Sequence, residues 1–433
     1  MSTTLLNAEV ALSKELADFW SSTTTSNGAA GGTTLVDTAL KVKANDWITD
    51  EAYDMVTEST YDGEERKISS LDNSTGTITV LAHGGQIVSG IDYRIHRLFE
   101  ASEKRRALIT AAANVFPSCF AEIFDESLVS GNWLKDGSFE RWTTTSNLTD
   151  WTETTLTATQ TSALPYYKHG AYSCKLDTLA GTLAQAITNF GDLQFLRGKS
   201  VTFTCQGWCD TASALRLSIN DGTTQTYSSY HAGDSAWTED DPRNDSFYVT
   251  QNIAKNATQV TFTIHLASAT AIAYVDDARV ISGEHNRIYI GHLGLAQNRP
   301  HQVLMEPDYY SQEDPWHPVR DYSVDPSGYL YIPTRYYADR RLRIRGIGYL
   351  DFLVSGVSST AWTATIALNE PQLKILIAEA ILYLYTWMSM PNYESGTRAD
   401  YQQMLAFWKR ESTERKAKFG MRSPPATVHW GMP

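Results

Sequence analysis

A chain of 433 residues exceeds what one hydrophobic core usually serves, so about two to four domains are expected. Its 42% hydrophobic and 20% charged residues are those of an ordinary globular protein, and no run approaches the length of about 18 apolar residues that a membrane span needs. The formal charge of −13 opposes a phosphate backbone and excludes a general nucleic-acid binder, leaving Lys409 to Arg422 as the only clearly basic segment.

In chain order, Val10, Leu12, Leu16 and Phe19 fall near helical spacing and predict an amphipathic helix over Ala8 to Trp20. Ser21 to Thr34 is nearly all Ser, Thr, Gly, Ala and Asn, the composition of a flexible arm, so residues 1–34 form a helix and arm. From Leu35 to Leu98 short β-rich runs alternate with turn signals such as Asp62-Gly63 and Gly84-Gly85, which predicts a small β-barrel or sandwich. A helix follows over Phe99 to Phe116, with Ala101, Leu108, Ile109 and Ala112 on one side and Glu103, Lys104, Arg105 and Arg106 on the other. Residues 35–133 thus form a β-domain with its helix.

After Trp133 the chain turns Thr/Ser-rich and strand-like, with no convincing helix, so residues 134–281 read as an inserted β-sandwich or jelly roll. Residues 282–433 resume the host with further strands. Asn369 is expected to cap an almost wholly apolar helix, Pro371 to Met390, and a last helix runs from about Arg398 to Lys418 before the basic tail. Lys374 and Glu379 interrupt the apolar helix, so burial between host elements or subunits is expected rather than a membrane span. The fold class is multi-domain, mainly β with helices.

No catalytic signature stands out. There is no G-x-S-x-G elbow, Ala82-His83-Gly84-Gly85 reads as a hairpin turn, and Gly191 and Gly198 lie too far apart for a phosphate loop. The histidines form no metal-binding pair, with His285 and His292 the nearest in sequence, and Glu239-Asp240-Asp241 reads as a solvated acidic loop. Cys119, Cys174, Cys205 and Cys209 are expected to be buried thiols made in a reducing cytoplasm. The chain is expected not to be an enzyme.

The middle domain opens with Leu134-Lys135-Asp136-Gly137-Ser138-Phe139-Glu140, continues through His169-Gly170-Ala171-Tyr172-Ser173, and closes with Tyr274-Val275-Asp276-Asp277-Ala278. In this order the motifs resemble those of jelly-roll carbohydrate-binding modules. The resemblance implies a structural calcium ion held by Glu140 and Asp277 with backbone carbonyls. It also implies surface glycans as ligands, stacked on exposed aromatics for which Trp208, Tyr227, Tyr230 and Trp237 are the candidates.

The host runs Leu35-Val36-Asp37-Thr38, Glu64-Glu65-Arg66-Lys67-Ile68 and Gly90-Ile91-Asp92-Tyr93-Arg94, with the later Glu370-Pro371 helix and tail, resemble in order and texture the head-to-tail connector or neck proteins of tailed double-stranded DNA bacteriophages. That resemblance implies a homo-oligomeric ring in the virion neck, with the portal protein and tail or other neck proteins as partners and genomic DNA passing an acidic lumen. A polysaccharide-binding or polysaccharide-active protein, and a capsid decoration or tail-fibre protein, remain alternatives.

Overall fold

The structure is a computed structural model that describes residues 2–48, 52–57, 60–238, 247–282, 285–307, 315–333, 336, 339–354, 356–389 and 398–422. It is multi-domain and mainly β, with helices α1 (Leu5–Glu15), α2 (Ala101–Asn114), α3 (Phe190–Leu196), α4 (Leu373–Met388) and α5 (Arg398–Phe419). The chain divides into two compact units, one of residues 1–121 with 349–423 and one of residues 122–348. The division falls outside the sequence-predicted edges at 133/134 and 281/282, because the flanking strands cluster with the sandwich.

In the first unit six strands pair in the order Trp20–Thr23, Asp92–His96, Tyr53–Val56, Glu65–Asp72, Thr77–Val80 and Thr34–Val36. A bridge between Ser26 and Val36 joins the ends into a barrel around Leu35, Ile78, Tyr93 and Ile95. The predicted arm therefore supplies most of the strand Trp20–Thr23 and the first residue of the strand Thr34–Val36. Thr and Ser are compatible with an extended, half-exposed backbone, and pairing with neighbouring strands replaces the freedom their composition suggests.

The rest of this unit is helical. Helix α1 starts at Leu5, earlier than expected, because Thr4 accepts from the Asn7 N–H as N-cap, and Trp20 belongs to a strand. Helix α4 begins at Leu373, later than expected: Leu373 N–H donates to the Asn369 carbonyl, and no side chain caps the helix. Its Leu376, Ile377, Ala380, Ile381 and Leu384 are buried with Leu5, Leu12, Leu108 and Trp408 in one core, which accounts for its nearly continuous apolar sequence. Among the described residues no helix is long and apolar enough to cross a membrane.

The charged side predicted for α2 is not all in water. Lys104 is fully buried, its Nζ 2.8 Å from Asp18 Oδ2, 2.9 Å from Ser13 Oγ and 2.9 Å from His96 Nδ1. Asp18 also accepts from the N–H groups of Arg97, Leu98 and Phe99, which ties α1, α2 and the barrel's last strand into one polar network. Burial alone would raise the Asp18 carboxyl, but the Lys104 ammonium and these N–H groups hold it below the usual range.

The second unit contains a jelly-roll sandwich of two five-stranded antiparallel sheets, as the sequence predicts. The front sheet runs Thr152–Thr154, Gly181–Ile187, Val260–Leu266, Leu215–Asn220 and Gln225–Tyr227. The back sheet runs Thr157–Thr161, Ser173–Asp177, Ala273–Ile281, Ser200–Cys209 and Tyr248–Asn252. Period-two alternation sends Leu215, Leu217, Ile219, Phe262 and Ile264 inward against Val201, Phe203 and Val275. Helix α3, which the strand-rich sequence concealed, is capped by Asn189. Beside the sandwich a separate core of Leu128, Val303, Leu330, Leu342 and Ile344 holds two small sheets. All four cysteines are buried free thiols.

Candidate functional site

The outer face of the front sheet is built by the same alternation that fills the core. With Leu215, Leu217 and Ile219 inward, Arg216, Ser218 and Asn220 must face out, and register sets Arg216 opposite His265 and Ser218 opposite both Thr263 and Tyr227. The segment after Gln225–Tyr227 stays alongside, since Ser228 N–H donates to the Leu217 carbonyl and His231 N–H to that of Leu215. This brings Tyr230 beside Tyr227.

The two tyrosines are 42% and 40% exposed. Between them lies Arg216, whose guanidinium carbon is 4.0 Å from the Tyr227 ring centre and 4.8 Å from that of Tyr230. Ser218 Oγ lies 2.7 Å from His265 Nε2 and accepts from Gln225 Nε2 at 3.1 Å, while the Tyr227 and His265 rings are 5.5 Å apart. Burial, with the Arg216 cation adding to it, lowers His265 to about 4. At neutral pH the imidazole is uncharged.

That shift carries a pH expectation. A folded value lowered from 6.5 to about 4 contributes stability in full above the unfolded value, and the contribution is lost as pH falls through about 4. His265→Gln should therefore flatten the melting-temperature profile between pH 6.5 and 4 relative to wild type. An NMR titration placing the His265 midpoint near 6.5 would refute this.

The four aromatics expected to stack on sugar do not share a surface. Tyr227 and Tyr230 lie on the front face. Trp208 lies on the back sheet, bridged to Trp237, and packs edge-on against Tyr166 and Tyr274 at 5.3 and 5.2 Å. Trp237 donates from Nε1 to the Pro165 carbonyl at 2.8 Å. The two tryptophans thus fasten the 165–168 segment to the back sheet. Sequence reading missed Arg216, Ser218, Gln225 and His265, although the alternation within Leu215–Asn220 and Val260–Leu266 carried the signal.

The two residues expected to hold calcium, Glu140 and Asp277, each have protein partners of their own. Both Asp277 oxygens are taken by Arg279, Oδ1 at 2.7 Å from its Nε, and Arg279 also reaches Asp339 at 2.8 Å. Asp276, fully buried, accepts instead from the N–H groups of Lys168 and His169, while Glu140 accepts from those of Ala171 and Tyr172. One loop thus draws in both carboxylates. Gly170 sits at φ +72° against Glu140 Oε1, where a Cβ would overlap that oxygen. Burial, with Asp136 adding to it, raises Glu140 to about 8, and burial with the Asp277 charge raises Asp276 well above its usual range. Buried carboxylates disfavoured as bare anions are the kind of oxygen ligand a hard cation stabilises, whereas both Asp277 oxygens are already engaged by Arg279. Among the described residues no cluster of three or more His, Cys, Asp or Glu side chains is placed to hold a metal.

His285 and His292 fall on the wall of a cavity of about 710 Å³ in the second unit. His285 stacks on Trp133 at 3.9 Å, and burial lowers both histidines to about 4. Both arginines of the cavity lining are paired, Arg141 with Asp150 and Arg287 with Asp192. A further histidine, His83, which the sequence places in a turn, is buried with Nε2 2.8 Å from Asp54 and Nδ1 3.2 Å from Glu64. The Glu239-Asp240-Asp241 loop lies outside the described residues.

No family model matches the chain, and no curated protein matches it. Among solved structures it is similar to TmCBM61, a module solved with beta-1,4-galactotriose, at 14% identity over 35% of this chain and 98% of that one, with a TM-score of 0.25. It is similar to the CBM22-1 xylan-binding domain of Paenibacillus barcinonensis Xyn10C at 15% identity over 38% and 99%, with a TM-score of 0.26. A third similarity is to the enzymatically active domain of tailspike protein 4 of Bacteriophage CBA120, at 14% identity over 35% of this chain but only 21% of that one, with a TM-score of 0.26. Likeness this slight says nothing about ligand, which has to be read from the chain's own side chains.

Proposed function

We propose that the front face around Tyr227 and Tyr230 binds a glycan, and that the protein holds this ligand without breaking it. One arrangement supports the reading: two half-exposed tyrosine rings beside a fixed arginine, on a sheet face whose neighbouring outward groups include Asn220, Gln225, Thr261 and His265. Pyranoses present apolar ring faces and polar rims, so rings supply the first contact and hydroxyl, amide and imidazole groups the second. Isothermal titration of the full chain with a panel of neutral and acidic oligosaccharides tests it, and no binding to any of them would remove it. A reducing-sugar assay on the same mixtures should stay flat. Release of new ends would refute the non-enzymatic part.

A calcium ion at Glu140 and Asp276 belongs to the same proposal, pinning the sandwich's opening segment to its last strand. Such an ion would supply positive charge to two buried carboxylates. Melting of the full chain should rise by several degrees in calcium relative to chelator, since saturation a hundredfold above Kd stabilises by about 2.7 kcal/mol. Glu140→Gln should abolish the difference. An unchanged melt in chelator would dispose of the site.

For the helical unit we retain the adaptor reading: a ring of copies in the neck of a phage-like particle, between portal and tail, carrying the glycan-binding sandwich. The observation that favours it is the exposure of Tyr383 and Trp387, four apart on α4, and of Met404 and Phe407, three apart on α5. Large apolar groups left in water at helical spacing are what a contact between copies covers. Mass photometry should find a ring-sized species that Trp387→Glu or Phe407→Glu disperses. A monomer at every concentration would remove the ring and leave the glycan reading untouched.

A further inference from the structure

We propose that the glycan taken by the front face is acidic, a uronate-bearing saccharide whose carboxylate is gripped by Arg216. The inference rests on the reading of that face given above and names its ligand class. Among the described arginines of the sandwich, Arg141 pairs with Asp150, Arg279 with Asp277 and Asp339, and Arg197 donates to the Ala257 carbonyl at 2.7 Å. Arg216 differs from all three. Its Nε is buried with no hydrogen-bond partner, and among the described residues no carboxylate lies within ion-pair distance of it.

The guanidinium is nevertheless held in place, by Tyr227 at 4.0 Å and Tyr230 at 4.8 Å. A cation that is fixed by rings and lacks an acceptor is arranged for an acceptor from outside. The planar fork of arginine matches a carboxylate with two parallel hydrogen bonds, and such charge-assisted bonds are stronger than those to a neutral hydroxyl. The surroundings favour the same ligand. His265, opposite Arg216 on the next strand, is held uncharged, so among the described residues of these two strands the positive charge is that of Arg216. Gln225, exposed beside it and steadied by the buried Ser218 hydroxyl, stands as a neutral partner for sugar hydroxyls. In a chain of net charge −13, an unpaired arginine between exposed rings marks the place where an anion is admitted.

The test is isothermal titration of the full chain with oligogalacturonate, oligomannuronate and the C6-oxidised form of cellotriose, each beside the neutral oligosaccharide of the same backbone. At least one acidic probe should bind about tenfold more tightly than its neutral counterpart at low salt, as a charge-assisted pair requires, with the gap narrowing as salt rises. Arg216→Gln should remove that gap. Arg216→Lys, which keeps the charge and loses the fork, should leave part of it. Melting curves of both variants check that they fold. Equal binding of both members of every pair, with continued sensitivity to Tyr227→Ala, overturns the acidic assignment and leaves the glycan face standing. A preference that survives in Arg216→Gln overturns it too, and binding of no probe at all overturns both.

Discussion

Replacing Tyr227 and Tyr230 together by alanine is expected to abolish glycan binding while leaving the sandwich folded. Both rings are near 40% exposed, so their loss opens no cavity in the core, and Leu215, Leu217 and Ile219 still close the sandwich from within. An aromatic anchor at a binding site is commonly worth about 2 kcal/mol on truncation, a factor of about 30 for each ring. The double variant also releases Arg216 from its two stacking partners, so the combined loss should exceed that of either single change. Trp208→Ala is the control. Its indole packs on Tyr166 and Tyr274 on the opposite sheet, so its removal should lower the melting temperature and leave affinity near wild type. Retained affinity in the tyrosine double variant, with loss in Trp208→Ala, would move the site to the back sheet.

The second large effect lies in the helical unit. Lys104→Met removes the ammonium from a site with no exposure and leaves the Asp18 carboxylate facing an apolar chain. Breaking one partner of a buried pair typically costs about 3–5 kcal/mol, because the remaining charge has no water to return to. Calorimetry of the full chain should show one transition falling while that of the sandwich stays in place. Adding Asp18→Asn should recover part of the loss, since the stranded charge is then gone, although the amide still meets the N–H groups of Arg97, Leu98 and Phe99. A shift below about 1 kcal/mol would mean that the pair is solvated.

The sequence made the layers legible and the site only in part. Alternation in Val260–Leu266 and Leu215–Asn220 announced strands, and the apolar run of α4 announced burial, because both patterns are set by local periodicity. What stayed hidden depended on where distant segments meet. Lys104 sits in a run of four charged residues, and nothing local shows that Ser13, Asp18 and His96 close around it. Ser21 to Thr34 has the composition of an arm, yet its two ends pair with residues 92–94 and with Thr79. Asp276 and Asp277 are adjacent and chemically alike. Only the strand's geometry decides that one turns to Arg279 and the other to the loop at 168–169. Tyr227 and Trp208 were equally good stacking candidates until register assigned them to different sheets.

The way the chain threads its two units sets an order in time. In the first unit Thr3 pairs with Ile366, Leu5 N–H donates to the Ala364 carbonyl, and Glu15 meets Arg415, so this unit needs both early and late sequence. Every strand of the sandwich lies between residues 142 and 281. During synthesis the sandwich can close while the late partners of α1, the strand at Thr365–Ile366 and α4, are still unmade, and the long-range pairings of the first unit come last. Until α4 emerges, the apolar side of α1 has only α2 to cover it. A ribosome that stalls in the final stretch would release a finished sandwich attached to an adhesive, incomplete partner. The first unit is therefore complete only once the late helices are made.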